Sequence, residues 1–319
     1  MKRVIVTGAS GFVGANLARR LLRDGHEVHL LLRPGRPQWR LAGLQADLRT
    51  LAVDLVDEEA VARALDATRA DWIFHLAVYG AYSSQVDARR IVETNLLGTM
   101  NLVRAGQRAG FEAFVNTGSS SEYGFKDVAP AETARLEPNS DYAVAKAAAT
   151  LYCESVARRG DLPISTLRLY SVYGPFEEPT RLIPTLVTRA LRGELPPLVD
   201  PSIARDFVYV DDATEAYVQA ARQRARGVFN VGTGVQTTLR DLVDLARRLF
   251  GVAAEPTWGS MAARGWDTTT WVANPERIQA ELGWRPGWSL EAGLLATADW
   301  LRRDPEMHAF YQEEHAAPS

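Results

Sequence analysis

The sequence predicts an α/β fold: a doubly wound parallel sheet with a smaller mixed α/β lobe toward the C-terminus. Three observations predict it. Short apolar runs alternate with stretches of helical period through the first half of the chain. The first apolar run passes directly into a glycine-spaced turn. After Gly174 the rhythm loosens among Pro175, Pro179, Pro184, Pro196, Pro197 and Pro201. Residues 1–174 are therefore expected to form the sheet domain, with later segments returning to it. Residues 175–319 are expected to form mainly the smaller lobe.

The first strand is expected at 2–7, where Val4, Ile5 and Val6 suit a strand buried on both faces. The turn that follows is Thr7-Gly8-Ala9-Ser10-Gly11-Phe12-Val13-Gly14, with spacing G-x-x-G-x-x-G. Gly8 permits the tight turn, Gly11 allows backbone to approach a pyrophosphate, and Gly14 allows close helix packing. A helix is expected at 11–24, with Leu17, Leu21 and Leu22 on one side. Its N-terminus offers unpaired N–H groups to phosphate. Gly8, Ser10, Gly11, Phe12, Val13 and Gly14 are thus expected to hold a dinucleotide, as in a Rossmann-type fold.

The second strand, at 27–32, ends in Arg33, followed by Pro34, Gly35 and Arg36. An acidic residue there would hold the adenosine ribose, whereas arginine grips a 2′-phosphate with a planar fork of donors. NADP(H) is therefore favoured, with NAD(H) as the alternative. Further strands are expected near 50–53, 72–76, 112–117 and 163–168, and helices near 57–66, 84–109 and 141–159. The fifth strand runs into Gly118-Ser119-Ser120-Ser121-Glu122-Tyr123-Gly124, at the edge where open parallel sheets bind ligands. The last of these helices opens with Tyr142-Ala143-Val144-Ala145-Lys146. Positions i and i+4 share a helix face. A neighbouring ammonium lowers a phenol's pKa and makes Tyr142 a proton donor or acceptor near neutrality. Ser119 can hydrogen-bond the same substrate oxygen. Ser119, Tyr142 and Lys146 are the expected catalytic set.

Beyond Gly174, helices are expected near 180–192, 211–224, 237–250 and 289–303. Most of the eight tryptophans lie after residue 257, and packing is the favoured role for them.

Composition narrows the partners. A hydrophobic content of 46% supports a sizeable core, and no run of about 18 apolar residues is present, so no membrane span is expected. Met1-Lys2-Arg3 leads straight into a strand, with no secretory pattern. The single cysteine, Cys153, excludes an internal disulfide and suits a cytoplasmic location. Net charge is −3, which does not mark a nucleic-acid binder. The five histidines show no metal-ligand spacing, and no metal is expected.

These motifs, taken in order, resemble the extended short-chain dehydrogenases/reductases of the nucleotide-sugar epimerase/dehydratase/reductase group. The resemblance covers Thr7–Gly14, Asp54-Leu55, His75-Leu76-Ala77, Asn95 with Gly98-Thr99, Ser119–Gly124 and Tyr142–Lys146. It continues through Arg168, Val172-Tyr173-Gly174-Pro175, Arg205-Asp206-Phe207, Asp211 and Leu282-Gly283-Trp284. It implies a nucleotide-diphosphate sugar as substrate and a homodimer through the helices near 84–109 and 141–159. It implies cofactor contacts at Asp54, Leu55, Leu76, Ala77, Asn95, Tyr170 and Val172, with Lys146 on the ribose. It also implies substrate contacts at Tyr79, Ser120, Ser121, Ser171, Arg205 and Arg264. Arg205 and Arg264 would hold the diphosphate.

Two departures bear on the reaction. The family's 4,6-dehydratases carry an acid pair after the catalytic Ser or Thr, where Ser120 and Ser121 stand here. Two hydroxyls do not supply the acid and base that elimination needs, so dehydration is disfavoured. Glu122 stands one place too late to replace the pair. Ser171 occupies the family's usual Asn.

Three classes of function remain. The favoured one is NADPH-dependent reduction of a nucleotide-linked 4-keto-6-deoxy sugar, because Arg33 and Ser120-Ser121 suit it. His75–Gly80 and Val231–Gly234 resemble CDP-abequose and CDP-paratose synthase-like reductases. The second is an NAD-dependent C4 epimerase, which the same Ser, Tyr and Lys would serve. The third is a non-catalytic NADP-sensing protein. Fold alone does not choose among them.

Overall fold

The protein is described by a computed structural model covering residues 1–313 except 45, 83 and 262–266. In chain order the elements are β1 (Arg3–Thr7), α1 (Phe12–Arg23), β2 (Glu27–Leu32), β3 (Arg49–Ala52), α2 (Glu58–Thr68), β4 (Trp72–His75), α3 (Ala88–Val92), α4 (Gly98–Ala109), β5 (Ala113–Ser119), α5 (Asp141–Gly160) and β6 (Ile164–Leu169). Then come β7 (Ser171–Tyr173), α6 (Leu182–Ala190), β8 (Ala204–Arg205), β9 (Phe207–Tyr209), α7 (Val210–Arg222), β10 (Gly227–Val231), β11 (Thr237–Thr238), α8 (Leu239–Phe250), α9 (Glu276–Leu282), α10 (Leu290–Arg303) and α11 (Pro305–Gln312).

Seven strands form one parallel sheet in the order β10-β6-β5-β4-β1-β2-β3. Val4, Ile5 and Val6 are fully buried because β1 is central and helices cover both faces. Leu17 and Leu21 of α1 pack on one face together with Tyr217 and Val218 of α7. Leu102 and Val103 of α4 and Cys153 and Val156 of α5 pack on the other. The strand order turns back between β1 and β4, and ligands bind at such a switch point.

A separate core lies outside the sheet, where α6, α8, α10 and α11 pack around Tyr173, Phe207 and Tyr209. The pairs β7–β9 and β11–β8 link this region to the chain leaving β6. Trp258 and Trp300 pack into this core and Trp284 into the core under α7. The Trp284 indole also donates to the carbonyl of Asp212 at 2.9 Å.

Several elements differ from the expectation. The helix foreseen at 84–109 begins only at Ala88, where Asp87 caps it. It passes through a π-helical stretch, Glu93–Leu97, before continuing as α4. The seventh strand, β10, and the helices α9 and α11 were not foreseen. Each of β7, β8, β9 and β11 has only two or three residues, too few to show a period.

Candidate active site

The glycine turn is built as its spacing implies. Gly8 has φ +71°, and a Cβ there would collide with the backbone of Leu76 and Ala77. A Cβ on Gly14 would meet the backbone of Gly8 and Ala9, so α1 starts hard against the turn. Gly11 is the N-cap and supplies no side chain, which leaves the first N–H groups of α1 open to an anion. Ser10, Phe12 and Val13 are half-buried beside it. Arg40 ties the turn to the chain after β7. It donates to the carbonyl of Phe176 at 2.7 Å and pairs with Glu178 at 2.8 Å.

A buried polar relay runs behind the turn. Thr99 donates to the carbonyl of Asn95 at 2.6 Å, so its oxygen accepts from Nε2–H of His75 at 2.8 Å. His75 Nδ1 then accepts from the Thr7 hydroxyl at 2.7 Å. That hydroxyl oxygen accepts the N–H groups of Leu76 and Ala77, each at 3.2 Å. Burial and the Lys146 charge push His75 down to about 3, so it stays neutral and this direction of donors holds. Asn95 lies in the π-helical stretch and clamps Tyr79 at both its N–H (2.9 Å) and its carbonyl (2.7 Å). The relay therefore sets the β4 loop relative to β1.

At the far end of β2 and β3, Arg33, Pro34, Gly35, Arg36, Asp54 and Arg90 line an open cavity of about 450 Å³. Asp54 caps its own turn, accepting from Val56 at 3.1 Å. The carbonyl of Leu55 is taken by Asn101 at 2.9 Å. Sequence reasoning missed Arg90. It comes from α3, far along the chain, and its guanidinium lies 4.9 Å from the centre of the Tyr79 ring.

Ser119 ends β5 and caps a single 3₁₀ turn, Ser120–Tyr123. Its hydroxyl lies 2.7 Å from that of Ser121, while Ser120 is buried. Glu122 points inward and is fully buried. It accepts from the Ser119 N–H at 2.8 Å, the Thr150 hydroxyl at 3.1 Å and Arg168 Nε at 2.8 Å. Glu122 is thus a support for the serine, turned away from the sheet edge. Arg168 continues to the Tyr123 hydroxyl at 2.8 Å, which donates to Asn230 at 2.7 Å.

Tyr142 and Lys146 lie in the first turns of α5, whose N-cap is Ser140. The Ser119 hydroxyl lies close enough to the Tyr142 phenol to act on it and favours its charged form. The expected lowering of the Tyr142 pKa is not what this arrangement produces. Burial pushes the phenol above its ordinary value, and the Ser119 hydroxyl only opposes it. The Lys146 ammonium is nearly buried and donates to the carbonyl of Thr117 instead. Burial also lowers the Lys146 pKa, while Glu122 raises it.

Tyr170 is buried and its hydroxyl has no partner among the described residues, whereas Val172 is half-buried. Ser171 donates its N–H to the carbonyl of Asp206 at 3.0 Å. The Asp206 carboxylate collects Thr233 N–H and hydroxyl, Gly234 N–H and Ala273 N–H at 2.6–3.0 Å, pinning three segments together. Beside it Arg205 pairs with Asp267 at 2.8 Å and lies 5.8 Å from the Trp271 ring. Arg264 lies outside the described residues. Among the described residues no cluster of metal-ligating side chains occurs, and no helix is long and apolar enough to cross a membrane.

Comparison with known proteins agrees with this layout. The family model described as "NAD dependent epimerase/dehydratase family" matches residues 4–232. The chain is 32% identical to a UDP-glucose 4-epimerase of Mycolicibacterium smegmatis, covering 94% of this chain and 98% of the relative. It is 31% identical to a dTDP-glucose 4,6-dehydratase of Streptomyces griseus, covering 94% of each. Among solved structures, the UDP-glucose 4-epimerase of Thermotoga maritima with UDP-glucose superposes with a TM-score of 0.86. The identity is 29%, over 94% of this chain and 98% of that one. The Thermus thermophilus UDP-glucose 4-epimerase with NAD gives 0.83 at 31% identity, over 94% and 99%. With a seven-stranded parallel sheet, a glycine turn after β1 and Ser119 at the end of β5, the chain belongs to the NAD-dependent epimerase/dehydratase family of extended short-chain dehydrogenases/reductases.

Proposed function

We propose that the protein is a nucleotide-sugar C4 epimerase that binds a nucleotide-diphosphate hexose and inverts its C4 carbinol. The observation that carries this reading is the approach of Ser119, at the end of β5, to the Tyr142 phenol, with no acid–base pair beside them among the described residues. Ser120 and Ser121 are hydroxyls and Glu122 is committed to Arg168, so nothing there serves the elimination step of a dehydratase. The epimerase relatives of similar length support the same choice, and it displaces reduction as the leading reading.

The residues fit a dinucleotide. The cradle between Gly8, Gly14 and the Leu76–Ala77 backbone has no room for a Cβ, and the α1 amides above it are uncapped. When bound, the nicotinamide supplies a hydride acceptor and donor. With the positive charge of an oxidised nicotinamide beside it offsetting burial, Tyr142 would stand as a phenolate, take the proton from the C4 oxygen and return it. Ser119 donates to that oxygen while its charge changes. Lys146, held by the Thr117 carbonyl, keeps a positive charge beneath the pair and reaches the cofactor ribose. Arg205 holds the diphosphate once that anion displaces Asp267. Arg264 is assigned to the same diphosphate from its place in the sequence.

A second reading is favoured by one observation. Arg33, Arg36 and Arg90 surround the cavity at the end of β2, which suits a 2′-phosphate and an exchangeable NADPH. That cofactor choice belongs to the reductase of a 4-keto-6-deoxy sugar. The cofactor content of the purified protein separates the two: retained NAD supports the epimerase, and empty protein that takes up NADPH supports the reductase. Exposed Val92, Leu97, Val144 and Leu151 on α3, the π-helical stretch and α5 support pairing of two copies there.

A further inference from the structure

The chain passes from the sheet to the second core between β7 and α6, and its backbone is strained on the way. Phe176 has φ +69°, in the left-handed region that a non-glycine residue holds only when its surroundings impose it. Those surroundings belong to the cofactor side. Asn16 of α1 donates to the carbonyl of Pro175 at 2.9 Å and to that of Phe12, in the first turn of its own helix, at 3.0 Å. The Arg19 guanidinium stacks 3.8 Å from the centre of the Phe176 ring. Arg40 donates to the carbonyl of Phe176, pairs with Glu178, and reaches the carbonyl of Ser10 in the glycine turn at 3.5 Å.

Arg40 sits in a 3₁₀ turn, Trp39–Leu41, that straddles the two cores. Leu41 is buried in the core beside α1, while Trp39 packs against the second core, its ring 5.0 Å from that of Phe310. Phe176 lies 4.9 Å from Trp300 of α10, and Tyr311 of α11 donates to the carbonyl of Glu177. The same segment then enters α6, which carries Ile183, Leu186 and Val187 into the second core. The Arg40 side chain is only 8% exposed, so leaving it without these acceptors is costly. The turn offered to the pyrophosphate and the helix that opens the smaller lobe are thus joined through one buried guanidinium.

We propose that Arg40 is a positioning residue that couples the two sites, so that a dinucleotide on the glycine turn and a nucleotide diphosphate in the lobe each tighten the other. The inference rests on the nucleotide-sugar reading for the second ligand and is independent of whether C4 is epimerised or reduced. The test is exchange of bound NAD or NADPH against a radiolabelled copy, with and without saturating UDP or dTDP, whichever calorimetry shows to bind. A coupling of ordinary size predicts ~10-fold slower exchange with the diphosphate present. Arg40→Gln and Glu178→Gln, which break the link from either side, bring the two rates within about twofold of each other while the diphosphate still binds. Glu178 is 33% exposed, so that variant decides where Arg40→Gln fails to fold. Arg40→Lys, which keeps the charge but not the fork, retains part of the effect. A diphosphate that binds wild type without slowing exchange overturns the inference and leaves the nucleotide-sugar reading standing. So does a slowing that persists in both Gln variants, which would mean that the diphosphate simply covers the cofactor. Binding of neither diphosphate overturns the nucleotide-sugar reading, and this inference with it.

Discussion

Arg168 donates from Nε to Glu122 at 2.8 Å, and the other oxygen of that carboxylate accepts the N–H of Ser119 at 2.8 Å. Both side chains are at most 2% exposed. A buried ion pair thereby sets the backbone of the serine that faces Tyr142. Removing one partner strands the other charge out of water.

Glu122→Gln is accordingly expected to destabilise the fold by about 3–5 kcal/mol. It should also lower turnover with little change in cofactor affinity, because Ser119 loses its anchor. Denaturant midpoints and a cofactor titration on the same preparation check both parts. A variant as stable as wild type would show that the pair is not coupled to the serine turn.

Tyr142→Phe keeps the ring in its half-buried site and removes the transferable proton. Turnover should fall by roughly 100- to 10,000-fold while the dinucleotide still binds. Activity within a few-fold of wild type would remove Tyr142 from the chemistry.

Glu177 predicts a pH dependence of stability. Its carboxyl is raised from the ordinary 4.5 to about 8 by burial, so the folded state holds its proton more tightly than the unfolded chain. That contribution is complete below the ordinary carboxyl value and is lost as pH rises to about 8. Wild type should therefore lose stability between pH 5 and 8, and Glu177→Gln should flatten that slope and be the more stable of the two at pH 8. Chemical denaturation at several pH values reads it directly, and parallel curves for the two proteins would contradict it.

Arg33→Asp should weaken NADPH by at least about tenfold and strengthen NADH, since the new carboxylate repels a 2′-phosphate and accepts from ribose hydroxyls. Fluorescence titration of both cofactors against both proteins measures the ratio. An unchanged ratio would reduce Arg33 to a loop residue.

Much of this site was legible in the sequence because its parts are local. The glycine spacing, the strand before it and the i, i+4 pair on α5 each act within one turn of chain. What was not legible depends on long-range neighbours. Glu122 reads as a spare acid until Arg168 is placed beside it, and Lys146 reads as a partner for Tyr142 until the Thr117 carbonyl is. Arg90 belongs to no motif; only the packing of α3 brings it to the cavity beside Arg33. β10 escaped notice because five residues after an irregular loop show no period, and its partner, β6, lies some sixty positions earlier.

The central claim is that hydride leaves C4 and returns to the same carbon within one turnover. UDP-hexose carrying deuterium at C4 tests it, with added NADPH monitored by absorbance and the product by NMR. The account predicts a C4 epimer that keeps its deuterium at C4, with no consumption of NADPH. Loss of the label, or refusal of the C4 alcohol together with stoichiometric NADPH consumption on a 4-keto-6-deoxy sugar, would contradict it and establish the reductase.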